Sequence, residues 1–123
     1  MVVHRVECSI CTSGPYNCFC LQWQDKKNEF RGRHGTDFFL QTRPGMLVDF
    51  PQNKRDIMER YYSGFKNRDQ MLYWFEGHEL SMFKANGFKH AIYLADDWYE
   101  GYSKNQMFFV RSEIWRKMEL PDA

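Results

Sequence analysis

Apolar side chains recur at helical spacing in the segment that follows Asn67. Four of them share one broad face of a helix with about 3.6 residues per turn: Met71, Leu72, Trp74 and Phe75. Asn67 is a favourable N-cap, and Gln70 stands three positions later, the spacing at which two side chains satisfy two free backbone N–H groups. The pattern predicts a capped helix that packs an aromatic face against a core and ends before Gly77.

A second capped helix is predicted upstream of this one. Asp49 has the chemistry of an N-cap, Pro51 falls in the first turn, and Gln52 stands three residues after Asp49. The apolar positions at helical spacing on this segment are Ile57, Met58, Tyr61 and Tyr62. We therefore expect these four side chains to face the core.

Two further helices are predicted towards the C-terminus. One runs from about His78 to Asn86, where Gly87 can adopt the left-handed conformation that closes a helix. Ser112 has the chemistry of an N-cap and predicts a last helix that continues to about Met118.

The N-terminal part of the chain has the pattern of a β-hairpin. Residues 2–9 are extended, residues 12–17 are rich in types that reverse the chain, and residues 18–24 return. Runs of β-branched and aromatic residues predict two later strands, at 88–94 and 106–110.

Together these elements predict an α+β fold. We expect a small mixed or antiparallel sheet that begins with the N-terminal hairpin, with three to four short helices packed on one side. Residues 25–45 are predicted to be irregular and polar, and residues 96–102 to form a loop. A chain of 123 residues with 43% apolar residues can bury one core, so we expect a single domain over residues 1–123.

The balance of charge excludes several functional classes. Seventeen Lys and Arg residues face sixteen Asp and Glu residues, which gives a net charge of +1. A nucleic-acid mimic would be strongly acidic and a nonspecific nucleic-acid binder strongly basic. No apolar run approaches the length of about 20 residues that a membrane span needs, and the start lacks the apolar region of a signal peptide. We expect a soluble cytoplasmic protein that contacts neither membrane nor nucleic acid.

All four cysteines fall within the predicted hairpin: Cys8, Cys11, Cys18 and Cys20. Two cysteines from each arm could surround one tetrahedral zinc ion, and the spacing of Cys8 and Cys11 is common among zinc ligands. The spacing of Cys18 and Cys20 is uncommon for zinc. The alternative is reduced thiols that act as small apolar side chains on adjacent strands, and this is the interpretation that the spacing favours.

An acidic and aromatic segment is the best candidate for a partner-binding site. Its residues are Asp96, Asp97, Trp98, Tyr99 and Tyr102. Large rings of this kind often anchor protein interfaces. The alternative is that the rings fold back over the edge of the sheet.

Short motifs occur in a fixed order along nearly the whole chain. They are Arg5-Val6-Glu7, Gly14-Pro15-Tyr16, Arg43-Pro44 with Asp49, Gly64-Phe65-Lys66, Leu72 with Trp74-Phe75, Gly87-Phe88, Tyr93 and residues 106–109. In this order and spacing the chain resembles a family of small accessory proteins carried by bacteriophages and prophages. The four cysteines lie outside the shared pattern.

The resemblance implies a protein that acts inside a bacterial cell. Small accessory proteins of phages most often bind a host protein and block it, so the family analogy implies an inhibitor of a host protein. Components of bacterial defence, such as CRISPR systems, are among the targets that this analogy implies, which would make the protein an anti-CRISPR or similar inhibitor.

An NAD-dependent enzyme similar to the ADP-ribosyltransferases is the alternative from another class. Those folds hold NAD through an Arg or His on the first strand, an aromatic or hydroxyl residue before a later helix, and a Glu or Gln on a late strand. Arg5, Tyr62 and Gln106 occur here in that order, and His34-Gly35-Thr36 resembles a motif of the poly-ADP-ribose enzymes. Gln106, however, cannot offset the charge of an oxocarbenium-like sugar. The residues therefore favour a binder without a cofactor, with zinc and NAD as the alternatives.

Overall fold

The computed structural model describes residues 1–33, 43–111 and 113–121. Their strands are β1 (Val2–Cys8), β2 (Tyr62–Gly64), β3 (Phe88–Leu94), β4 (Trp98–Glu100), β5 (Met107–Phe109) and β6 (Glu113–Met118). Their helices are α1 (Gln24–Arg33), α2 (Met46–Asp49), α3 (Arg68–Trp74) and α4 (Gly77–Ala85), with 3₁₀ helices at Leu21–Trp23 and Gln52–Arg60. This composition confirms the predicted α+β class. Within this described part, none of the helices is long and apolar enough for a membrane crossing.

The strands form two antiparallel sheets of three strands each. In the first sheet β3 lies between β1 and β6, and in the second β5 lies between β2 and β4. His4 of β1 and Phe65, which follows β2, exchange two backbone hydrogen bonds of 2.7 Å. The sheets are therefore joined by a backbone bridge, where the sequence predicted a single sheet.

Aromatic rings fill the main core. Trp23 contacts Phe83 and Phe88 edge to face, with ring centroids 5.6 and 4.8 Å apart. Phe30 of α1 meets Phe83 at a centroid distance of 5.2 Å. Such pairs contribute about 0.5–1.5 kcal/mol beyond the burial of their area. Phe30 is thus the side chain that attaches the otherwise polar helix α1 to the core.

The start of α3 confirms the predicted cap. Asn67 Oδ1 accepts a hydrogen bond from Gln70 N at 2.8 Å, and Gln70 Oε1 accepts one from Lys66 N at 2.8 Å. The second bond reaches one residue further back than a standard capping box does. Three of the four predicted apolar side chains of this segment are buried, while Leu72 is exposed.

Helix α4 and strand β3 also lie where the sequence indicates. Glu79 accepts a hydrogen bond from Glu76 N at 2.9 Å at the start of α4. Gly87 ends the helical segment with a φ of +87°, a conformation that other residues rarely adopt. Strand β3 then covers the predicted residues, and β5 lies within the predicted strand at 106–110.

The predicted N-terminal hairpin is wrong. Strand β1 pairs with β3, with Val6 opposite His90, and residues 21–24 form a 3₁₀ turn and the start of α1. The turn places Trp23 in the core, which a returning strand beside β1 would not do. The prediction that residues 25–45 are irregular is also wrong for the part that forms α1.

The predicted last helix is wrong as well. Residues 113–118 form β6, which pairs with β3 from His90 to Leu94. The predicted cap, Ser112, lies outside the described residues. A central strand with an open edge offers backbone hydrogen bonds that outweigh the small helical preference of a short segment.

Asp49 does not cap the helix that was predicted to follow it. The 3₁₀ helix begins at Gln52 without a side-chain cap, and Tyr62 belongs to β2. The buried Asp49 carboxylate instead accepts hydrogen bonds from Ser103 N at 2.6 Å and from Gln106 Nε2 at 3.0 Å. The predicted loop at 96–102 likewise contains a short strand, β4.

Candidate functional site

Cys8, the last residue of β1, opens a tight turn. Thr12 N donates a hydrogen bond to Cys8 O at 2.9 Å, and Cys8 N donates to Ser13 O at 2.8 Å. Thr12 has a φ of +60°, which is uncommon for a residue with a branched side chain. Arg111 donates to Thr12 Oγ1 at 3.0 Å and to Thr12 O at 2.9 Å. These bonds return Cys11 towards the end of β1.

A second turn brings the other two cysteines to the same place. Gly14 O accepts a hydrogen bond from Cys18 N at 3.1 Å. Trp23, which is buried in the aromatic core, donates its Nε1 to Pro15 O at 2.8 Å. Cys18 is therefore buried, and Cys20 is half-buried beside it.

The four sulfur atoms form one cluster. The Sγ atoms that lie within 4.8 Å of one another are those of Cys8, Cys11, Cys18 and Cys20. The Cys8 and Cys20 sulfurs are 3.7 Å apart, and the Cys11 and Cys18 sulfurs 3.5 Å. A disulfide needs an S–S distance of about 2.05 Å. Four sulfurs each about 2.3 Å from a tetrahedral zinc ion lie about 3.8 Å apart, so the distances of 3.7 and 3.5 Å are compatible with a zinc site.

The surroundings of the thiols shift their pKa values in different directions. Burial raises the pKa of Cys11, but hydrogen bonds from the Ser13 backbone and side chain and from Cys18 outweigh it and lower the pKa to about 6. Burial raises the pKa of Cys18 and of Cys20. Ile10 N donates to Cys8 Sγ at 3.4 Å. A divalent cation at the centre would stabilise the thiolate form of each ligand.

Three large apolar side chains project from the same loops. The exposed fraction is 74% for Ile10, 78% for Phe19 and 90% for Leu21. We call these three residues the apolar tip. Lys27 Nζ lies 3.7 Å from the centroid of the Phe19 ring, which is the contact of this ring with α1. Exposed apolar side chains that form one patch often mark a contact site.

The sequence analysis missed the apolar tip. The available signal was the alternation Cys18-Phe19-Cys20-Leu21. If the two cysteine side chains face a common site, the side chains of Phe19 and Leu21 between and after them face away from it. The prediction of a returning strand at residues 18–24 gave no reason to single out Phe19 and Leu21.

The predicted partner-binding segment lies at the edge of the second sheet. Its members are Asp96, Asp97, Trp98, Tyr99 and Tyr102. Trp98 and Tyr102 are exposed, at 44% and 63%, and both aspartates are exposed. Tyr99 instead packs against Phe50 and Tyr61, with ring centroids 5.7 and 5.3 Å away. Tyr99 therefore folds back onto the sheet, whereas a contact role for Trp98 and Tyr102 stays a prediction.

The three residues compared with the ADP-ribosyltransferases are near neighbours. Arg5 and Gln106 line one pocket of about 50 Å³, and Arg5 Cζ lies 5.4 Å from the centroid of the Tyr62 ring. Arg5 is buried and donates Nη1 to Ser63 O at 2.7 Å. The chain order noted in the sequence thus corresponds to proximity in the fold.

The geometry of this pocket gives the NAD hypothesis no support. Pockets for small molecules have volumes of about 300–1,000 Å³, several times the volume available here. Gln106 Nε2 is also engaged, by Pro44 O at 2.6 Å and by Asp49 Oδ2 at 3.0 Å. The motif at residues 34–36 lies outside the described residues.

The fold and the site define a small α+β protein with a four-thiol cluster beside the end of β1. The model of the bacteriophage T4 Y00F protein family matches residues 1–121, and the chain therefore belongs to that family. No curated protein and no solved structure matches the chain. The family match confirms the relationship to phage proteins, and it extends over all four cysteines.

Proposed function

We propose that this phage protein is a zinc-bound interaction module that binds and inhibits a host protein. The observation that carries the proposal is the cluster of four sulfur atoms within 4.8 Å of one another, in the loops that present the apolar tip. Zinc would hold those loops, and the apolar tip would supply the contact.

The local backbone explains why a metal would matter here. Residues 9–20 contain neither helix nor strand, and their internal order depends on turns and a few long-range bonds. A loop of this length loses backbone entropy when it is fixed. Zinc bound by four thiolates supplies folding free energy directly, because the site forms only in the folded chain.

The apolar tip has the properties of an interface anchor. Phe19 and Leu21 alternate with metal-ligand candidates, so a bound zinc ion would restrict how far they can move. A rigid contact group loses little entropy on binding, and buried aromatic anchors contribute most of the binding energy of many interfaces. A partner that covers the tip would gain about 25 cal/mol per Å² of apolar surface.

Inhibition of the host is the finer part of the proposal. The family is a phage family, and a small domain with exposed anchors can act by covering a functional surface of a larger protein. A component of a bacterial defence system, such as a CRISPR effector, is the class of target that we propose. Trp98 of the edge strand β4 and Tyr102 of the turn after it form a second candidate contact surface.

Affinity capture from the bacterial host separates these surfaces. Full-length tagged protein, purified with zinc, is incubated with host lysate, and retained proteins are quantified by mass spectrometry. One bait carries Phe19→Ser with Leu21→Ser, and another carries Trp98→Ala with Tyr102→Ala. The matched control carries Leu72→Ser with Tyr73→Ser, because these side chains are also exposed and apolar but lie on α3.

The expected result is one host protein retained at about one copy per bait. Only the tip variant should retain at least tenfold less of it. Purified target activity should fall when the native protein is added and not when the tip variant is added. Retention of the same protein by both native and tip-variant baits would contradict the role of the tip. The absence of any stoichiometric host protein would contradict the binding function itself.

A further inference from the structure

Two arginines surround one fully buried carboxylate at the base of the thiol loops. Glu7 accepts hydrogen bonds from Tyr93 Oη at 2.8 Å on both of its oxygens. Arg5 Nε lies 3.4 Å and Arg111 Nη2 3.8 Å from Glu7 Oε2. Arg111 also stacks over Tyr62, with Cζ 4.0 Å from the ring centroid. The Arg5 and Glu7 side chains are almost fully buried, at 8% and 0% exposure, whereas the Arg111 side chain is 27% exposed.

Among the described residues, the charges of this network do not balance. Within the described residues, both arginines pair with Glu7 and with no other carboxylate, so two positive charges face one negative charge. Burial lowers the pKa of Arg5, against the opposing effect of Glu7. A buried charge without a counter-charge is costly, and an anion that supplies the missing charge would stabilise the folded protein.

The guanidinium of Arg5 lines a pocket that can hold such an anion. Arg5 Nη1 donates to Ser63 O at 2.7 Å, whereas Nη2 has no acceptor within the described residues and approaches Gly14. Side chains with donor groups also line the pocket at Asn17 and Ser63, and none of the described lining residues is acidic. Gly14 leaves room beside the guanidinium, since an added Cβ would lie 3.5 Å from Nη2.

The volume of the pocket restricts the size of its ligand. The cavity measures about 50 Å³. A single water molecule needs about 10–15 Å³ by the same kind of measure, so the space suits a group of a few heavy atoms. A carboxylate or a phosphate has that size, and a monoanion would balance the excess charge of the network.

We infer that this pocket binds a small oxyanion, with Arg5 as the principal donor and Asn17 and Ser63 as further donors. The ligand is identified by its chemistry, which free acetate, free phosphate and the carboxylate of a polypeptide share. This inference is tested separately from the proposed contact with a host protein, because the binding of free anions is measured on the isolated protein.

Titration of the full-length, isotope-labelled protein by NMR tests this site. Sodium acetate and sodium phosphate are added in separate series, each matched in ionic strength with sodium chloride. The expected result is a saturable change at the amides of Gly14 and Asn17, with a millimolar Kd that chloride does not reproduce. A third series with an N-acetylated glycine, compared with its amide, distinguishes a polypeptide carboxylate from a free ion.

Two variants locate the binding. Asn17→Ala removes one donor from an exposed side chain and should raise the Kd about 2- to 10-fold, the effect of one hydrogen bond. Arg5→Lys keeps the charge but shortens the donor, and its fold is checked by circular dichroism. Asn28→Ala, on the exposed face of α1, is the matched control and should leave the Kd unchanged.

Three outcomes would overturn the inference. The first is the absence of saturable changes at anion concentrations up to about 50 mM, which would mean that the cavity holds only water. The second is an equal response to chloride at matched ionic strength. The third is an unchanged Kd in both Asn17→Ala and folded Arg5→Lys, which would place the binding elsewhere.

Discussion

Asp49 fixes the loop between β4 and β5 through a fully used carboxylate. Its oxygens accept hydrogen bonds from the backbone and hydroxyl of Ser103 at 2.6 and 2.9 Å and from Gln106 at 3.0 Å. Its backbone oxygen accepts a bond from Tyr102 N at 3.0 Å. A buried carboxylate is stable in this position because every bond it has lost to water is replaced.

Gly101 makes room for this carboxylate, and this leads to a prediction. A Cβ at position 101 would fall on Asp49 Oδ2 and lie 2.7 Å from Asp49 Cγ. Gly101→Ala should therefore lower the free energy of unfolding by about 1–3 kcal/mol, measured by urea denaturation. Gly45→Ser is the control, because nothing lies within 4 Å of its Cβ position. Equal stability of Gly101→Ala and the native protein would disprove the close approach.

Residue roles of this kind could be predicted from the sequence only when their partners are local. Asn67 and Gln70 are three residues apart, and their cap was predicted correctly. Asp49 has partners more than fifty residues away, and the same rule of spacing assigned it to a nearby helix. A contact over that sequence distance depends on the fold and could not be predicted from local spacing.

At the scale of the element, the cap of α3 can be tested by two substitutions. Asn67→Ala removes the acceptor for Gln70 N and should cost about 1 kcal/mol in the free energy of unfolding. Asn67→Asp retains an oxygen acceptor and should cost less than half as much. The measurement is chemical denaturation at pH 7, and equal losses in the two variants would refute a role for the side chain as a cap.

A histidine pair across β1 and β3 makes stability depend on pH. His4 Nδ1 lies 2.9 Å from His90 Nε2. Burial, with the charges of His4 and Arg68 adding to it, lowers the pKa of His90 to about 4 from its ordinary 6.5. Because the unfolded chain then binds the proton first, His90 lowers the stability as the pH falls from 6.5 towards 4.

We expect the lowered pKa of His90 to reduce the free energy of unfolding by about 2 kcal/mol at pH 5 relative to pH 7.5. The measurement is the difference in the free energy of unfolding between the native protein and His90→Gln at both pH values. This difference cancels the pH dependence of the thiols, which both proteins share. A difference that does not change between the two pH values would contradict the shift in the pKa of His90.

Elements were predictable where local chemistry defines both ends. Helix α4 has a clear start and a terminal glycine, and β3 has β-branched and aromatic residues between two turns, so both were predicted well. Strand β6 was predicted as a helix because its pairing with β3 connects residues that are 19 to 28 positions apart. Strand β1 was likewise assigned to the wrong partner.

At the scale of the whole molecule, the four-thiol cluster links the N-terminal strand to the aromatic core. Cys8 ends β1, while the turn that carries Cys18 is held by Trp23 through Pro15 O. The cysteines were visible in the sequence, but their uncommon spacing favoured simple thiols. The fold brings all four sulfurs together through two turns, where the sequence predicted the two arms of a hairpin.

Removal of zinc should therefore destabilise the whole domain. Bound zinc at about 1,000 times its Kd contributes about 4 kcal/mol, which a strong chelator would remove. We expect the melting temperature to fall on chelation, together with a red shift in tryptophan fluorescence as the Trp23 contact loosens. Cys18→Ser should melt at the lower temperature with or without the chelator. A chelator effect of equal size in Cys18→Ser would point to another cause.

The metal content of the purified protein is the most direct test of a four-thiolate zinc site. The protein is expressed without an affinity tag that binds metal and purified under reducing conditions. Its zinc content is measured by inductively coupled plasma mass spectrometry and divided by the protein concentration from amino-acid analysis. Cobalt substitution then reports on the ligands, because thiolate coordination gives intense charge-transfer absorption. We predict one zinc per chain and a four-thiolate cobalt spectrum. Less than about one tenth of an equivalent of zinc, with no cobalt spectrum after reconstitution, would contradict it.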